Sequence, residues 1–250
     1  MLLTRMVSSS LRPHAAAGGR AVLLGVLIPA LLALVLSSCG QELPAVGTIT
    51  RHTATAMAHS SYRISGTAKA GLTTTTFSVV TFPDGNFSGR VVTIVPGSPS
   101  LSLQVVAYGS SVYVLSPLGL AQLGITSLPG NLNPDTTWIV QTPTTASRYR
   151  QSLAPFTGPG LETTLKTYLK APLSVGNSSW HGVPDWLVEE GSASSSLRLY
   201  IAKGSYHLLQ LTVTGRASIS LKYDLFGRVA VVTPPPAAQV YSPPAAAPGS

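Results

Sequence analysis

The sequence predicts a mainly β, α+β fold: a large antiparallel sheet or open barrel, with a helical insert between two runs of strands. Three observations predict it. Strand-like segments recur at roughly 8–12-residue spacing with turn chemistry between them. Several strands are apolar on both faces, Phe77 and Val79 against Val80 and Phe82, and Val91 and Thr93 against Val92 and Ile94. A strand of that kind needs cover on its second face. In the middle of the chain, Leu161, Leu165, Tyr168 and Leu169 recur at helical spacing.

Taken in order, a modest helix is expected around residues 50–58. SYRISGTAKA then alternates, with Tyr62, Ile64, Gly66 and Ala68 on one face and Arg63, Ser65, Thr67 and Lys69 on the other. TTTTFSVVTF is a Thr- and Val-rich strand closed by Pro83-Asp84-Gly85, where Pro presets φ and Gly supplies φ > 0. FSGRVVTIV follows, then LSLQVVAYG and SVYVLS hinging at Gly109-Ser110, and after a Gly-, Pro- and Asn-rich loop the short strand Thr137–Val140. Residues 146–154 read as a weak helix stopped by Pro155, and 161–170 as an amphipathic one with Glu162 and Lys166 paired at i,i+4. Strands resume with PDWLVEEG, SLRLYIAKG, YHLLQLTVTG and ASISLKYDLFG, the last setting Ile219, Leu221, Tyr223 and Leu225 on one face. The final PPPAAQVYSPPAAAPGS is expected to be a disordered tail.

At 250 residues the chain suits one sizeable domain. Its net charge of +8 overstates its basicity, because three of the sixteen Lys and Arg (Arg5, Arg12, Arg20) precede an apolar run. The others are scattered rather than clustered among aromatics, which argues against a nucleic-acid surface. Residues 21–36, AVLLGVLIPALLALVL, carry no charge and as a helix would span about 24 Å, short of the roughly 30 Å hydrocarbon core. Pro29 weakens a permanent span further. A basic segment, a short apolar run and small residues after it read as a secretory signal.

The single cysteine closes that signal. Leu36-Ser37-Ser38-Cys39 resembles the bacterial lipobox, in which a branched apolar residue and two small ones precede the acylated cysteine. A catalytic thiol would need a basic neighbour or a helix start to lower its pKa, and the nearest histidine in sequence is His52. Cys39 is therefore read as the lipidation site, with the membrane as its partner.

Catalytic patterns are wanting. The chain has no GxSxG elbow, HExxH, P-loop or dinucleotide fingerprint. Glu189 and Glu190 are the only adjacent carboxylates, and on a strand they point to opposite faces. His52 and His59 lie two helical turns apart but lack a third ligand, and His207 shares a strand face with Leu209 and Leu211, the usual place of a structural histidine. No enzymatic activity, metal or cofactor is expected.

Several segments occur in a familiar order: the lipobox, YRISGTAK, the hairpin around PDGNFSG, GSSVYVL, Trp138, SSWHGVPDW, SLRLYIAKGSYHLLQLTVTG and YDLFGRVAVVTPPPA. Over roughly residues 58–238 the chain resembles the LolA-like lipoproteins of the LppX/LprAFG group of mycobacteria and related bacteria. That resemblance implies a curved antiparallel half-barrel with helices covering its concave face, an apolar cavity between them, and binding or carriage of a lipid in the cell envelope. It carries over no catalytic residue. The expected layout is a signal peptide at 1–38, an acylated tether at 39–58, a LolA-like domain at 59–233 and the tail at 234–250. Trp138, Leu161, Leu165, Tyr168 and Leu169 are the candidate ligand-binding residues. The leucines suit a filled core equally well, because amphipathic spacing does not separate the two roles. A non-catalytic envelope binding or scaffolding module is the alternative. Ligand identity, protein partners and oligomeric state are left open.

Overall fold

The computed structural model describes residues 43–116, 128, 130, 132–168, 173–191 and 196–243. The chain enters through helix α1 (Val46–Ala58) and then builds six strands: β1 (Tyr62–Ala70), β2 (Thr73–Thr81), β3 (Phe87–Ile94), β4 (Leu101–Tyr108), β5 (Ser111–Leu115) and β6 (Trp138–Val140). Two helices follow, α2 (Pro143–Leu153) and α3 (Gly158–Tyr168), joined through a 3-10 turn at Ala154–Phe156. Five more strands are β7 (Ser174–Trp180), β8 (Val183–Gly191), β9 (Ser196–Ala202), β10 (Leu208–Thr214) and β11 (Ala217–Asp224). The two-residue strand β12 (Val240–Tyr241) comes last.

All twelve strands form one open sheet in the order β12-β6-β5-β4-β3-β2-β1-β11-β10-β9-β8-β7. Each pairing is antiparallel except β12 with β6. The fold is thus mainly β, with the open, almost wholly antiparallel sheet expected of a half-barrel. Two meanders, β1–β6 and β7–β11, meet at the β1–β11 pair in the middle. No helix among the described residues is long and apolar enough to cross a membrane.

Alternation selects one face of the sheet as the core. Val79, Phe87, Val105, Ala107, Val112 and Val114 pack there against Ala146, Tyr149 and Leu153 of α2. On the other half, Ile64, Val188, Leu199, Ile201, Leu211, Leu221 and Tyr223 pack with Ile49 and Met57 of α1 and Leu161 and Leu165 of α3. Helix α2 starts where its sequence says it should: the Thr142 hydroxyl accepts from the Thr145 N–H, and Pro143 fills the first turn. Arg150 then ties α2 to two hairpin turns, donating to the carbonyls of Gly85 at 2.9 Å and Gly109 at 2.6 Å.

Gly66 lies where β1 and β11 cross closely, and a β-carbon there would run into the Ser220 carbonyl oxygen. A strand glycine of this kind marks a tight bend or close backbone approach.

Several local readings change. Residues 46–58 are helical and bury Ile49, Thr53, Ala54 and Met57. That stretch belongs to the domain and not to a tether, because its four-residue spacing gives the helix an inward stripe. Strand β7 lies within SVGNSSW, whose Gly, Asn and Ser residues carry little strand signal. In β10 the register shifts between Leu208 and Gln210, so Leu208 and Leu211 are both buried, where strict alternation would have chosen Leu209 with Leu211. Leu225, expected on the core face of β11, has left the strand with φ +56° and is exposed.

The second face of the two-faced strands is not the face that the helices cover. All three helices contribute to the core clusters of one face. The opposite face, with Ser78, Ser88, Arg90, Gln104, Val106 and Trp138, meets residues 231–233 of the C-terminal segment. Val232 is buried there. The Pro/Ala-rich tail then forms a 3-10 turn at Ala237–Gln239 and pairs β12 beside β6, with Val240 opposite Trp138. Composition alone suggested a solvated tail. The free edge of β6 supplies hydrogen-bond partners that composition does not show.

Candidate functional site

The most apolar opening among the described residues lies between the sheet and the helical segment. Leu197 of β9, Val213 of β10 and Ile219 of β11 stand in one row across the strands, with Leu211 in the next row. Pro155 and Phe156 of the 3-10 turn and Thr164 and Leu165 of α3 close over them, leaving a cavity of about 210 Å³. Thr164 provides the only polar side chain in this lining.

The local sequence makes the roof. Pro155 cannot continue α2 as a regular helix because it lacks the N–H and clashes with the preceding turn. The chain tightens into the 3-10 turn and restarts as α3, where Gly160 faces the Ala154 carbonyl so closely that a β-carbon would collide with it. Glycine therefore lets α3 fold back against the turn and brings Leu165 over β9–β11.

The candidate ligand residues separate. Leu161 and Leu165 are buried in the core on the helix-covered face, and Leu165 also lines the cavity. Tyr168 ends α3, and its side chain lies outside the described residues, as do Leu169 and Cys39. Trp138 is remote from this cavity. Its neighbour Ile139 pairs with Val114 and points to the core, so Trp138 faces the opposite side of the sheet. There it lines an open groove of about 560 Å³ beneath residues 231–233. This groove is larger than the apolar cavity, but Ser78, Ser88, Arg90 and Gln104 make it polar. Phe156, Leu197, Leu211, Val213 and Ile219 were missed as site residues. Alternation marks the strand residues as inward-facing but says nothing about which of them a helix leaves uncovered.

Nucleophilic chemistry can be tested at one pair. His207 Nε2 lies 3.2 Å from Ser60 Oγ. The Ser60 hydroxyl already donates to the Ala56 carbonyl at 2.8 Å, so the imidazole N–H must be the donor between them. A general base needs the reverse arrangement. The ring also stacks on Phe226 at 4.0 Å, and burial holds its pKa below the ordinary histidine value. The pair is built to join the end of α1 to the start of β10. His59 Nδ1 lies 3.1 Å from the Thr55 carbonyl and His52 packs on the Tyr206 ring, so the two are engaged separately. Among the described residues no group of three or more His, Cys, Asp or Glu could hold a metal ion. Glu189 forms an ion pair with Arg198 across β8 and β9 at 2.8 Å, away from Glu190.

No family model and no curated protein matches the chain. Solved structures similar to it include an uncharacterized conserved protein from Thermus thermophilus, 14% identical, with a TM-score of 0.38, covering 80% of this chain and 100% of that one. MucB in complex with MucA(peri) is 11% identical with a TM-score of 0.35, over 72% of this chain and 56% of that one. In the Pseudomonas aeruginosa MucA/MucB complex the values are 12% and 0.38, over 74% and 58%. This chain therefore spans little more than half the length of those MucB-complex chains.

Proposed function

We propose that the chain is an extracytoplasmic lipoprotein of LolA-like type, acylated at Cys39, whose domain holds a hydrophobic ligand between β9–β11 and the helical segment. The observation that carries this reading is the cavity lined by Phe156, Leu165, Leu197, Leu211, Val213 and Ile219. A site without charged lining suits an acyl chain, since polar head groups would lose their water there without gaining partners. The helical segment 143–168 then acts as cover for the concave face of a half-barrel, in keeping with the resemblance to the LppX/LprAFG group. The anchor is the thioether at Cys39, and two or more acyl chains hold a protein stably where one does not. No catalytic step is assigned. The protein carries or presents its ligand without reacting with it.

Native mass spectrometry of the mature chain purified from its host tests ligand binding. A co-purifying lipid, or uptake of offered fatty acid that Val213→Trp abolishes, is the expected result. Ligand-free protein that takes up none of the offered lipids would sink it. Radiolabelled acyl incorporation tests the anchor: Cys39→Ala should abolish it, and unchanged labelling would remove Cys39 as the site.

A second reading has its own observation. At about 210 Å³ the cavity is below the ~300–1,000 Å³ usual for small-molecule pockets, and Leu161 is fully buried in the core. A filled-core binding or scaffolding module fits those facts, and the same mass spectra separate the two.

A further inference from the structure

We propose that the end of the sheet carrying the β1–β2 and β3–β4 turns, the end at which the apolar cavity lies, docks on an anionic lipid surface. This inference rests on the reading of the protein as a membrane-anchored carrier. Its observations are separate. Leu72, at the tip of the β1–β2 turn, is 80% exposed, and Ile94 and Val95 at the end of β3 are 47% and 40% exposed. They are neighbours, because Thr74 pairs with Ile94 and Ala70 with Thr73, so Val95 comes beside Thr73 and Leu72. A single exposed aliphatic is ordinary. Three gathered at one end of the sheet, two of them in turns where polar residues are favoured, form a patch.

The charges around the patch have one sign. Lys69 precedes the tip, and Arg216 leads into Ala217, the partner of Ala70. Neither is in an ion pair among the described residues. Residues 66–76, 92–101 and 213–219 contain no Asp or Glu. Aliphatic side chains that reach the acyl boundary, with cations at the level of the phosphates, are what an anionic bilayer binds. A protein partner fits less well: the patch offers no Trp or Tyr anchor of the kind that dominates protein interfaces.

The cavity is at the same end. Its row Leu197–Val213–Ile219 continues to Ala68, two residues short of the end of β1. The docked patch and the cavity therefore share one end of the sheet, with β1 between them.

Depth-dependent quenching tests the docking. In the acylated full chain Cys39 is blocked as a thioether, so Leu72→Cys presents the one free thiol for a pyrene label, with Asp84→Cys at the opposite end as control. In vesicles containing 30% anionic lipid and nitroxide-labelled acyl chains, the probe at position 72 should be quenched severalfold more than that at 84. Lys69→Glu with Arg216→Glu, or omission of the anionic lipid, should remove most of the difference. Equal quenching at the two positions, or pyrene excimer emission from position 72 in its place, would overturn the proposal, the excimer identifying a second copy as the occupant. Label entering the unsubstituted chain at Cys39 would disprove acylation alone, and the contrast between 72 and 84, taken above that background, would still decide the docking. Ligand-free mass spectra leave the quenching contrast unaffected, so loss of the carrier reading is scored separately.

Discussion

Tyr223 and Asp224 are consecutive in β11 and face opposite sides of the sheet, which makes them a compact lesson in side-chain cost. The Tyr223 hydroxyl is buried on the core face without a hydrogen-bond partner among the described residues, and burial pushes its pKa well above the usual phenol value. A buried unsatisfied hydroxyl costs about 1–3 kcal/mol, so Tyr223→Phe should leave stability unchanged or raise it by up to about 1 kcal/mol, read as a higher urea midpoint. Asp224 on the outer face accepts two bonds from Arg63 at 2.8 Å and contacts Lys222 at 3.2 Å. The Arg63 hydrogen bonds, above all, hold its carboxyl below the usual carboxylate range. A depressed acid contributes stability above its unfolded pKa and loses it as pH falls through the folded value. Asp224→Asn should therefore lower the urea midpoint at pH 7 and cease to matter near pH 2. Arg63 is 39% exposed, and solvent screening limits the effect to about 0.5–1 kcal/mol. A midpoint difference that persisted at low pH would point to packing and not to charge.

At the scale of elements, α2 is held by a polar clasp as well as by its apolar face. Arg150 reaches the carbonyls of Gly85 and Gly109, and Asn86 Oδ1 accepts from the Gly109 N–H at 2.9 Å, so one helix and two hairpin turns are locked together. Charge-assisted bonds of this type contribute about 1.5–3 kcal/mol each before exposure is counted. Arg150→Met keeps most of the side-chain volume and should destabilise by about 1–2 kcal/mol. Hydrogen exchange should rise in residues 82–86 and 108–111 ahead of the rest of the sheet. Exchange that rose uniformly would mean that the clasp does not act locally. The helices were readable from residue pattern, as Leu161 and Leu165 were, and so were the strands with clean alternation, such as β1 and β11. Strand β7 and the bulge in β10 were not, because Ser, Asn and Gly are ambiguous and a one-residue bulge leaves composition unchanged.

For the molecule as a whole, the C-terminal segment is the least expected structural part. It leaves β11 in the middle of the sheet, passes the outer face at residues 231–233 and pairs beside β6 at one edge. Val232 is buried on the way, and burying such a side chain is worth roughly 1.5–3 kcal/mol. Truncation after Val229 should lower Tm by several degrees and increase binding of a hydrophobic dye to the uncovered outer face. An unchanged Tm would show that the strap is dispensable. The same topology makes the candidate site a product of distant segments, since α3 reaches strands that follow it by some 30–60 residues.

By itself the sequence determined local facts: the strands with clean alternation such as β1 and β11, the helical spacing of Leu161 and Leu165, the apolar run that ends before Cys39, and the absence of familiar catalytic motifs. These follow from backbone preference and side-chain period, which act over a few residues. Tertiary structure alone decided that Trp138 lies across the sheet from Leu165, that residues 231–233 line a groove on the outer face, and that Leu197, Val213 and Ile219 share one cavity with Phe156. Each of those depends on strand order and register, set by packing between residues far apart in the chain. No local pattern encodes how completely one element covers another.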